Sequence, residues 1–447
     1  MTLYDRFGAP VSHGNRADID MFGDAVELML AYAPDPATMI SELLERAPDF
    51  IMARCFLAGI YLVASDKRRQ LLMRRHLDEL VRRIDAANDR ERAHIAAIGL
   101  WAEGDFYASS QAYADILGDW PRDIVALQIG HQTDFLLGHA SSTRDRPARA
   151  MPYWSEDDPQ YSYVLGMQAF GLEEAGHYRE AQALAERSVA LNAKDAWGVH
   201  ALAHCLEMQG KADEGIAFMT AREEMWGRDN YMAIHNRWHL SLYHLERCEF
   251  DQALALHDRY MAVTPASELM DAHDSAAMLW RLMLDGVDVG RRWEPVADIY
   301  TNVLDQAYMP FTDIHAMMAF SATGRRDQAA EQLKALEAGT RQNTTSAEVI
   351  RIAGLPLVRG FHAFGRGDYA AARNWLSRAR HNSHMIGGSV AQRDVINLTL
   401  LEACNRSGER AMAEALLNER VLLRPHSPLI DLFRSRLHYL ASRKEMT

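Results

Sequence analysis

Apolar residues recur along most of the chain at the three- and four-residue spacing of amphipathic helices, and these helices come in pairs. Each pair has an apolar first helix, a turn with small or polar residues, an aromatic residue, and a second helix with alanine at a close-packing position. Residues 96–113 show the pattern, with Gly104 and Phe106 at the turn, and Gly176 and Tyr178 mark a later turn. Because no alternating β pattern appears, the periodicity predicts an all-α fold.

The spacing of the turns identifies the repeat. It is 34 residues from Gly104 to Gly138 and again from Gly176 to Gly210, which is the period of the tetratricopeptide repeat. Later turns are 38 to 43 residues apart, so these repeats are degenerate. The expected architecture is a right-handed superhelix of about ten to eleven helix–turn–helix, tetratricopeptide-like repeats.

The predicted superhelix occupies the whole chain as a single solenoid, residues 1–447, because no stretch rich in Gly, Ser or Pro separates two parts. Within it we expect degenerate N-terminal helix pairs at 18–89, repeats at 90–424 and a polar-faced C-terminal capping helix at 428–443. Residues 139–158 are predicted to be the longest irregular insert.

Charge and cysteine content restrict the partners and the compartment that we expect for this protein. The 447 residues include 48 Lys and Arg against 61 Asp and Glu, a formal net charge of −13, with no compensating basic block. We therefore expect no nucleic-acid partner. The N-terminus lacks the features of a signal peptide, and the longest apolar run, 56–64, is too short to cross a bilayer, so no membrane partner is expected. Four scattered cysteines without a CxxC pair indicate a reducing, cytoplasmic compartment.

Two histidine-rich stretches are the main candidates for chemistry. HALAHCLE contains His200, His204 and Glu207, which lie on one stripe of a helix because they are four and three residues apart. HNRWH contains His235 and His239 at the same four-residue spacing. Two further candidates, Asn236 and Trp238, lie between His235 and His239. Since both stretches fall on the first helices of neighbouring pairs, we expect them to face each other and share one site.

Three interpretations of this cluster stay open. The histidines are structural and bonded between helices, or they bind a metal, or they form a ligand pocket or acid–base site. The four-residue spacing matches helical zinc ligands, but the internal Glu of HExxH and any CxxC pair are missing, so we expect no metal or other cofactor. The minority alternative is zinc or another divalent metal at His200, His204, His235 and His239.

Neighbouring segments add candidate ligand contacts. Arg144 and Arg149 lie in the predicted insert, which would close over an anionic ligand, and His131 lies one helix earlier. The helix after the second histidine stretch begins with three further polar candidates, Asp271, Asp274 and Ser275.

Several motifs in the same order resemble the tetratricopeptide repeat protein 38 family. They include RDRPARAMPYW, DAWGVHALAHCLEMQG, HNRWHLSLYHLE, DAHDSAAMLWRL and GGSVAQRDV, and the resemblance covers about residues 90–400. It implies an α-helical repeat fold, a soluble location and no particular reaction. Besides the candidates above, the family pattern falls on Asp145, Arg281, Arg393 and Asp394. One departure is Gln132, which stands where the family often has an acidic residue.

We therefore expect a soluble binding protein whose concave channel holds a ligand at the His/Glu/Asp cluster. The expected ligand is a small polar or anionic molecule or a peptide segment, and self-association is left open. The alternative is an enzyme that acts on a small polar or anionic molecule, in which His204 and His239 transfer protons and Glu207 orients His204.

Overall fold

The computed structural model describes residues 3–64, 66–304, 306–424 and 427–445, with side chains described up to residue 437. A short antiparallel pair, β1 (Leu3–Tyr4) and β2 (Pro10–Val11), precedes a chain that is otherwise helical. The helices in the first part are α1 (Arg16–Leu30), α2 (Pro36–Arg46), α3 (Ile51–Val63), α4 (Lys67–Arg82), α5 (Asp89–Glu103), α6 (Phe106–Asp119), α7 (Ile124–Leu136), α8 (Ala140–Ala150), α9 (Tyr161–Glu174), α10 (Tyr178–Leu191), α11 (Ala196–Met208), α12 (Ala212–Ala221) and α13 (Glu223–Trp226).

The helices in the second part are α14 (Ala233–Glu246), α15 (Phe250–Leu256), α16 (Leu269–Leu284), α17 (Trp293–Thr301), α18 (Pro310–Thr323), α19 (Arg326–Gly339), α20 (Thr345–Val349), α21 (Leu355–Gly365), α22 (Tyr369–Ala379), α23 (Val390–Ser407), α24 (Arg410–Leu423) and α25 (Pro428–Glu445). Two π-helical turns, His257–Met261 and Ile350–Gly354, adjoin α15 and α21. Helix α25 lies where the sequence predicts a capping helix.

Consecutive helices pack against each other as the repeat pattern requires. In the first part of the chain α5 contacts α6 and α9 contacts α10, and further on α21 contacts α22. Glycine ends the first helix of several pairs: Gly104 ends α5 with φ of 92° and Gly408 ends α23 with φ of 80°. Glycine is favoured there because other residues are strained in the left-handed region. The prediction of an all-α, tetratricopeptide-like solenoid is confirmed.

Two compact units make up the chain. The first unit contains residues 1–202, 224–233 and 343–346, and the second contains 203–223, 234–342 and 347–447. The division falls within α11, between Leu202 and Ala203. The expected continuation of one superhelix through residues 1–447 stays a prediction.

A buried ionic cluster ties the N-terminal strands into the first unit. Arg90 of α5 is 1% exposed and donates to Asp5 at 3.0 Å and to Asp123 at 2.6 Å. Asp123 also accepts from His94 at 2.8 Å. Arg90 and His94 therefore offset the cost of burying the two carboxylates.

An aromatic core lies inside the second unit. Trp280 of α16 is fully buried and its ring centroid is 5.6 Å from those of both Phe361 and Phe364 on α21. Its indole N–H donates to Thr399 Oγ1 of α23 at 2.9 Å. The indole polar group is thereby satisfied while three helices bury their apolar faces together.

Residues 139–158 do not form the predicted irregular insert. Residues 140–150 are helix α8, followed by a 3₁₀ turn, Met151–Tyr153. Pro147 and the run of small polar residues suggested a loop, but Arg146 is buried and donates to Asp134 at 2.7 Å. This buried ion pair and the packing of α8 on α9 outweigh the weak helical propensity of the segment.

Candidate functional site

Three histidines of the second unit meet between α11 and α14. His204 lies on α11, and His235 and His239 lie one turn apart on α14. The ring centroid of His239 is 4.3 Å from that of His204 and 4.9 Å from that of His235. One ring nitrogen from each residue lies within 4.8 Å of the other two, and all three side chains are buried. We call His204, His235 and His239 the histidine cluster.

Two carboxylates hold the rings of the cluster in place. Asp274 of α16 accepts from His235 Nδ1, with its two oxygens at 2.8 and 3.0 Å. Glu207, one turn beyond His204 on α11, accepts from His239 Nδ1 at 3.1 Å. A carboxylate at Nδ1 fixes both the ring orientation and the position of its proton. The orienting contact seen for Glu207 is with His239, whereas the sequence suggested His204.

Electrostatics keep His239 neutral. Burial, and then the neighbouring imidazoles of His204 and His235, hold the pKa of His239 well below its ordinary value. A neutral imidazole at pH 7 has the protonation state that a metal-binding histidine requires.

Glu207 joins the histidine cluster to a group of arginines. Its second oxygen accepts from Arg424 Nη2 at 2.9 Å, and Arg424 Nη1 donates to Glu246 at 3.2 Å. Burial would lower the pKa of Arg424, but Glu246 and Glu207 outweigh this effect and raise it. Arg424 therefore stays charged although it is largely buried.

A pocket of about 180 Å³ opens beside this ion pair in the second unit. We call it the arginine pocket, and its polar lining is Ser383, Arg393, Asp394, Asn397, Arg420 and Arg424. Arg420 is 9% exposed and donates through Nη1 to Asp394 at 2.6 Å. Its Nε has no hydrogen-bond partner among the described residues. Among the described residues, the lining thus contains three guanidinium groups and a single carboxylate.

A smaller pocket of about 20 Å³, which has room for about one water molecule, adjoins the same residues. Its lining includes Glu207, Glu246, Arg281 and Arg424. Arg281 donates to the backbone oxygen of Ala391 at 2.8 Å, and burial lowers its pKa to about 10. Arg281 therefore remains a cation at pH 7.

Of the other candidates on α14 and α16, Trp238 packs against the histidine cluster, whereas Asn236 and Ser275 have other surroundings. Trp238 is fully buried, stacks on His235 at 5.3 Å and has the Arg281 guanidinium over its ring at 5.2 Å. Both amide atoms of the buried Asn236 lack a hydrogen-bond partner within the described part of the chain. Ser275 bonds His257 Nε2 at 2.9 Å.

Asp271 has a structural contact at the start of α16. Its carboxylate accepts from the backbone N–H of Glu268 at 3.2 Å, as part of a capping box. Burial, and then the charge of Asp274, raise the pKa of Asp271 to about 6.

Four candidates belong to the first unit. His200 lies one turn before His204 on α11 and packs against Phe170 and Trp197, with ring centroids at 5.3 and 4.8 Å. His131 of α7 is fully buried, and burial together with the Arg146 charge lowers its pKa to about 3. The remaining two candidates are Arg144 and Arg149 of α8.

Those arginines bond to the neighbouring Asp145. Arg144 donates from Nε to the Asp145 carboxylate at 2.6 Å, and Arg149 donates to the Asp145 backbone oxygen at 3.2 Å. The insert that was expected to be an irregular loop is thus a helix, and its buried arginine is Arg146.

Arg420, Arg424 and Glu246 were not predicted as site residues. The available signal was the four-residue spacing of Arg420 and Arg424 at the end of a helix, which places both on one face. The family resemblance did indicate Arg281, Arg393 and Asp394, which line the two pockets. No sequence signal connects Arg424 to Glu207, because the two are 217 residues apart.

Comparison with known proteins adds little beyond the fold. No family model matches the chain, so membership of the tetratricopeptide repeat protein 38 family is not supported. Among solved structures the chain is similar to the human IFIT1 dimer with m7Gppp-AAAA. The sequences are 14% identical, the match covers 94% of this chain and 99% of that chain, and the TM-score is 0.39. At this level of similarity no function is transferred.

The exclusion of a nucleic-acid partner nevertheless needs correction. The IFIT1 structure contains the capped oligonucleotide m7Gppp-AAAA, so a similar helical chain is found with nucleic acid. The exclusion rested on the net charge of −13, which is a sum over the whole chain. Local fields can differ in sign from that sum. Among the described residues, no helix is both long and apolar enough to span a membrane.

Proposed function

We propose that the second unit binds a small anionic molecule, with carboxylate or phosphate groups, in the arginine pocket. The observation that carries this proposal is the lining itself, in which Arg393, Arg420 and Arg424 face one space and Asp394 is the only carboxylate among the described lining residues. Guanidinium groups are suited to such ligands because their planar N–H donors match the oxygens of carboxylates and phosphates.

Unmet hydrogen-bonding capacity supports the same proposal. Within the described residues, Arg420 Nε and Asn397 Oδ1 are buried without a partner. An unsatisfied buried polar atom costs about 1–3 kcal/mol, which a bound ligand or water would recover. The Arg420 N–H suits an anionic oxygen, and the Asn397 oxygen suits a hydroxyl group on the same molecule.

The size of the pocket favours a small molecule over a peptide. Its volume of about 180 Å³ has room for a small anion but not for a peptide segment. Glu207 links the histidine cluster to Arg424, which lines this pocket. The family resemblance stays a hypothesis that fits this proposal, because two of its motif residues, Arg393 and Asp394, line the pocket. Catalysis on the bound molecule remains a prediction from sequence.

The test is a calorimetric titration of the full, chelator-treated chain with citrate and with pyrophosphate. We expect saturable binding of at least one anion, and an affinity about tenfold or more weaker in Arg420→Gln, since each charge-assisted hydrogen bond contributes about 1.5–3 kcal/mol. Arg410→Gln is the matched control, because Arg410 lies on the same helix and pairs with Glu414 on the surface. This control should bind like the wild type.

A second variant separates binding from folding. Arg393→Gln removes another guanidinium of the pocket without breaking the Arg420–Asp394 pair, and it should weaken binding in the same way. A capped oligoadenylate is titrated in parallel. The proposal is wrong if neither small anion binds, or if both bind Arg420→Gln and Arg393→Gln as tightly as the wild type, whether or not the oligonucleotide binds.

A further inference from the structure

Three imidazoles in the second unit converge where water has little access. His204 and His239 are fully buried and His235 is 5% exposed. They come from two helices, and one nitrogen from each lies within 4.8 Å of the others. Packing three polar rings together in a low-dielectric interior is costly unless they share a ligand or exchange hydrogen bonds.

The two carboxylates determine which nitrogen is presented by two of these rings. Asp274 accepts from His235 Nδ1 and Glu207 accepts from His239 Nδ1. In a neutral imidazole a proton on Nδ1 leaves the lone pair on Nε2. This carboxylate–histidine arrangement is the one that orients metal-bound histidines and makes them more basic.

We propose that the histidine cluster binds a divalent transition metal ion, with Zn²⁺ as the best match. Three imidazoles are borderline-soft donors of the kind that Zn²⁺ prefers. Tetrahedral zinc ligands at 2.0–2.1 Å lie roughly 3.3 Å apart. The three nitrogens, within 4.8 Å of one another, need to approach by no more than about 1.5 Å, which small side-chain rotations provide.

The expectation of no metal relied on the missing HExxH and CxxC motifs. It did not include Asp274 and Glu207, because neither is adjacent in sequence to the histidine that it orients. The structure therefore provides a reason to revise that expectation.

The test uses the full chain, purified without a histidine tag and stripped with a chelator. Zn²⁺ is titrated in competition with a chromophoric chelator, and Co²⁺ absorption reports the coordination geometry. We expect one high-affinity ion per chain and a visible d–d spectrum. Affinity should fall by more than about 100-fold in His239→Ala and by about 10- to 100-fold in Asp274→Asn, which removes only an orienting carboxylate.

The matched control is His273→Ala, because His273 is a buried histidine of the same unit outside the cluster. It should retain wild-type affinity and the Co²⁺ spectrum. Circular dichroism on the metal-free proteins identifies any unfolded variant. If His239→Ala is unfolded, the test of metal binding rests on Asp274→Asn, which is the mildest change. The proposal is overturned if the wild type binds no ion, or if binding persists in His239→Ala and Asp274→Asn. Since the anion titrations use metal-free protein, either proposal can fail while the other stands.

Discussion

At the residue scale, the second unit contains a buried carboxyl group outside the candidate site. Asp313 of α18 is 6% exposed, and Gln332 of α19 donates to its Oδ1 at 3.3 Å and to its backbone oxygen at 2.8 Å. Burial raises the pKa of Asp313 to about 7, from an ordinary value of 3.8. Between pH 3.8 and about 7, the folded state therefore holds a proton that the unfolded chain has already lost.

This difference predicts a pH-dependent stability. Because the folded-state pKa is the higher one, the stabilising effect of the bound proton is complete below pH 3.8 and is lost as the pH rises to about 7. Asp313→Asn lacks the titration, so its free energy of unfolding relative to wild type should increase between pH 5 and 7, by at most about 1.4 kcal/mol per pH unit. Urea unfolding at several pH values measures this. Asp327→Asn, an exposed change on α19, is the control, and parallel wild-type and Asp313→Asn profiles would contradict the prediction.

At the element scale, the close approach of α8 to α9 depends on one small residue. A Cβ added to Gly171 would lie 2.4 Å from the backbone oxygen of Thr143 and 2.5 Å from Arg144 Cα. Backbone atoms cannot move aside as a flexible side chain can. The helices therefore have to separate if position 171 carries any side chain.

Gly171→Ala should lower the free energy of unfolding by about 1–3 kcal/mol, the usual cost of overpacking. Gly118→Ala is the matched control, because Gly118 is exposed on α6 and an added Cβ would meet no atom within 4 Å. The control should be neutral or stabilise the protein by up to about 1 kcal/mol, since alanine is the better helix former. Equal effects of the two substitutions in urea unfolding would count against this account of α8.

The helices themselves were largely predictable, and α8 shows where prediction fails. Turn glycines such as Gly104 and Gly408 mark helix ends locally, because the left-handed conformation is a property of the residue itself. Residues 140–150 are helical for a non-local reason, since Arg146 finds Asp134 and Gly171 leaves room for the backbone. A single-sequence pattern contains neither contact.

At the scale of the whole molecule, the chain contains two compact units. Units with separate cores often unfold as separate cooperative regions. Gly171→Ala should therefore speed amide hydrogen exchange mainly in the first unit. Gly215→Ala, whose Cβ would lie 2.2 Å from the Tyr243 ring, should do so mainly in the second unit. Hydrogen-exchange mass spectrometry compares the two variants. If either variant speeds exchange uniformly across both units, the two units unfold together.

The sequence by itself determined the all-α repeat fold and the pairing of histidines on helical stripes, because both follow from local periodicity. It also placed His204, His235 and His239 among the candidates, and the structure brings their rings together. Only the tertiary structure decided which carboxylate orients which ring and that Arg424 lies beside Glu207. These partners come from helices far apart in the chain, and their meeting depends on how the whole core packs rather than on any local pattern.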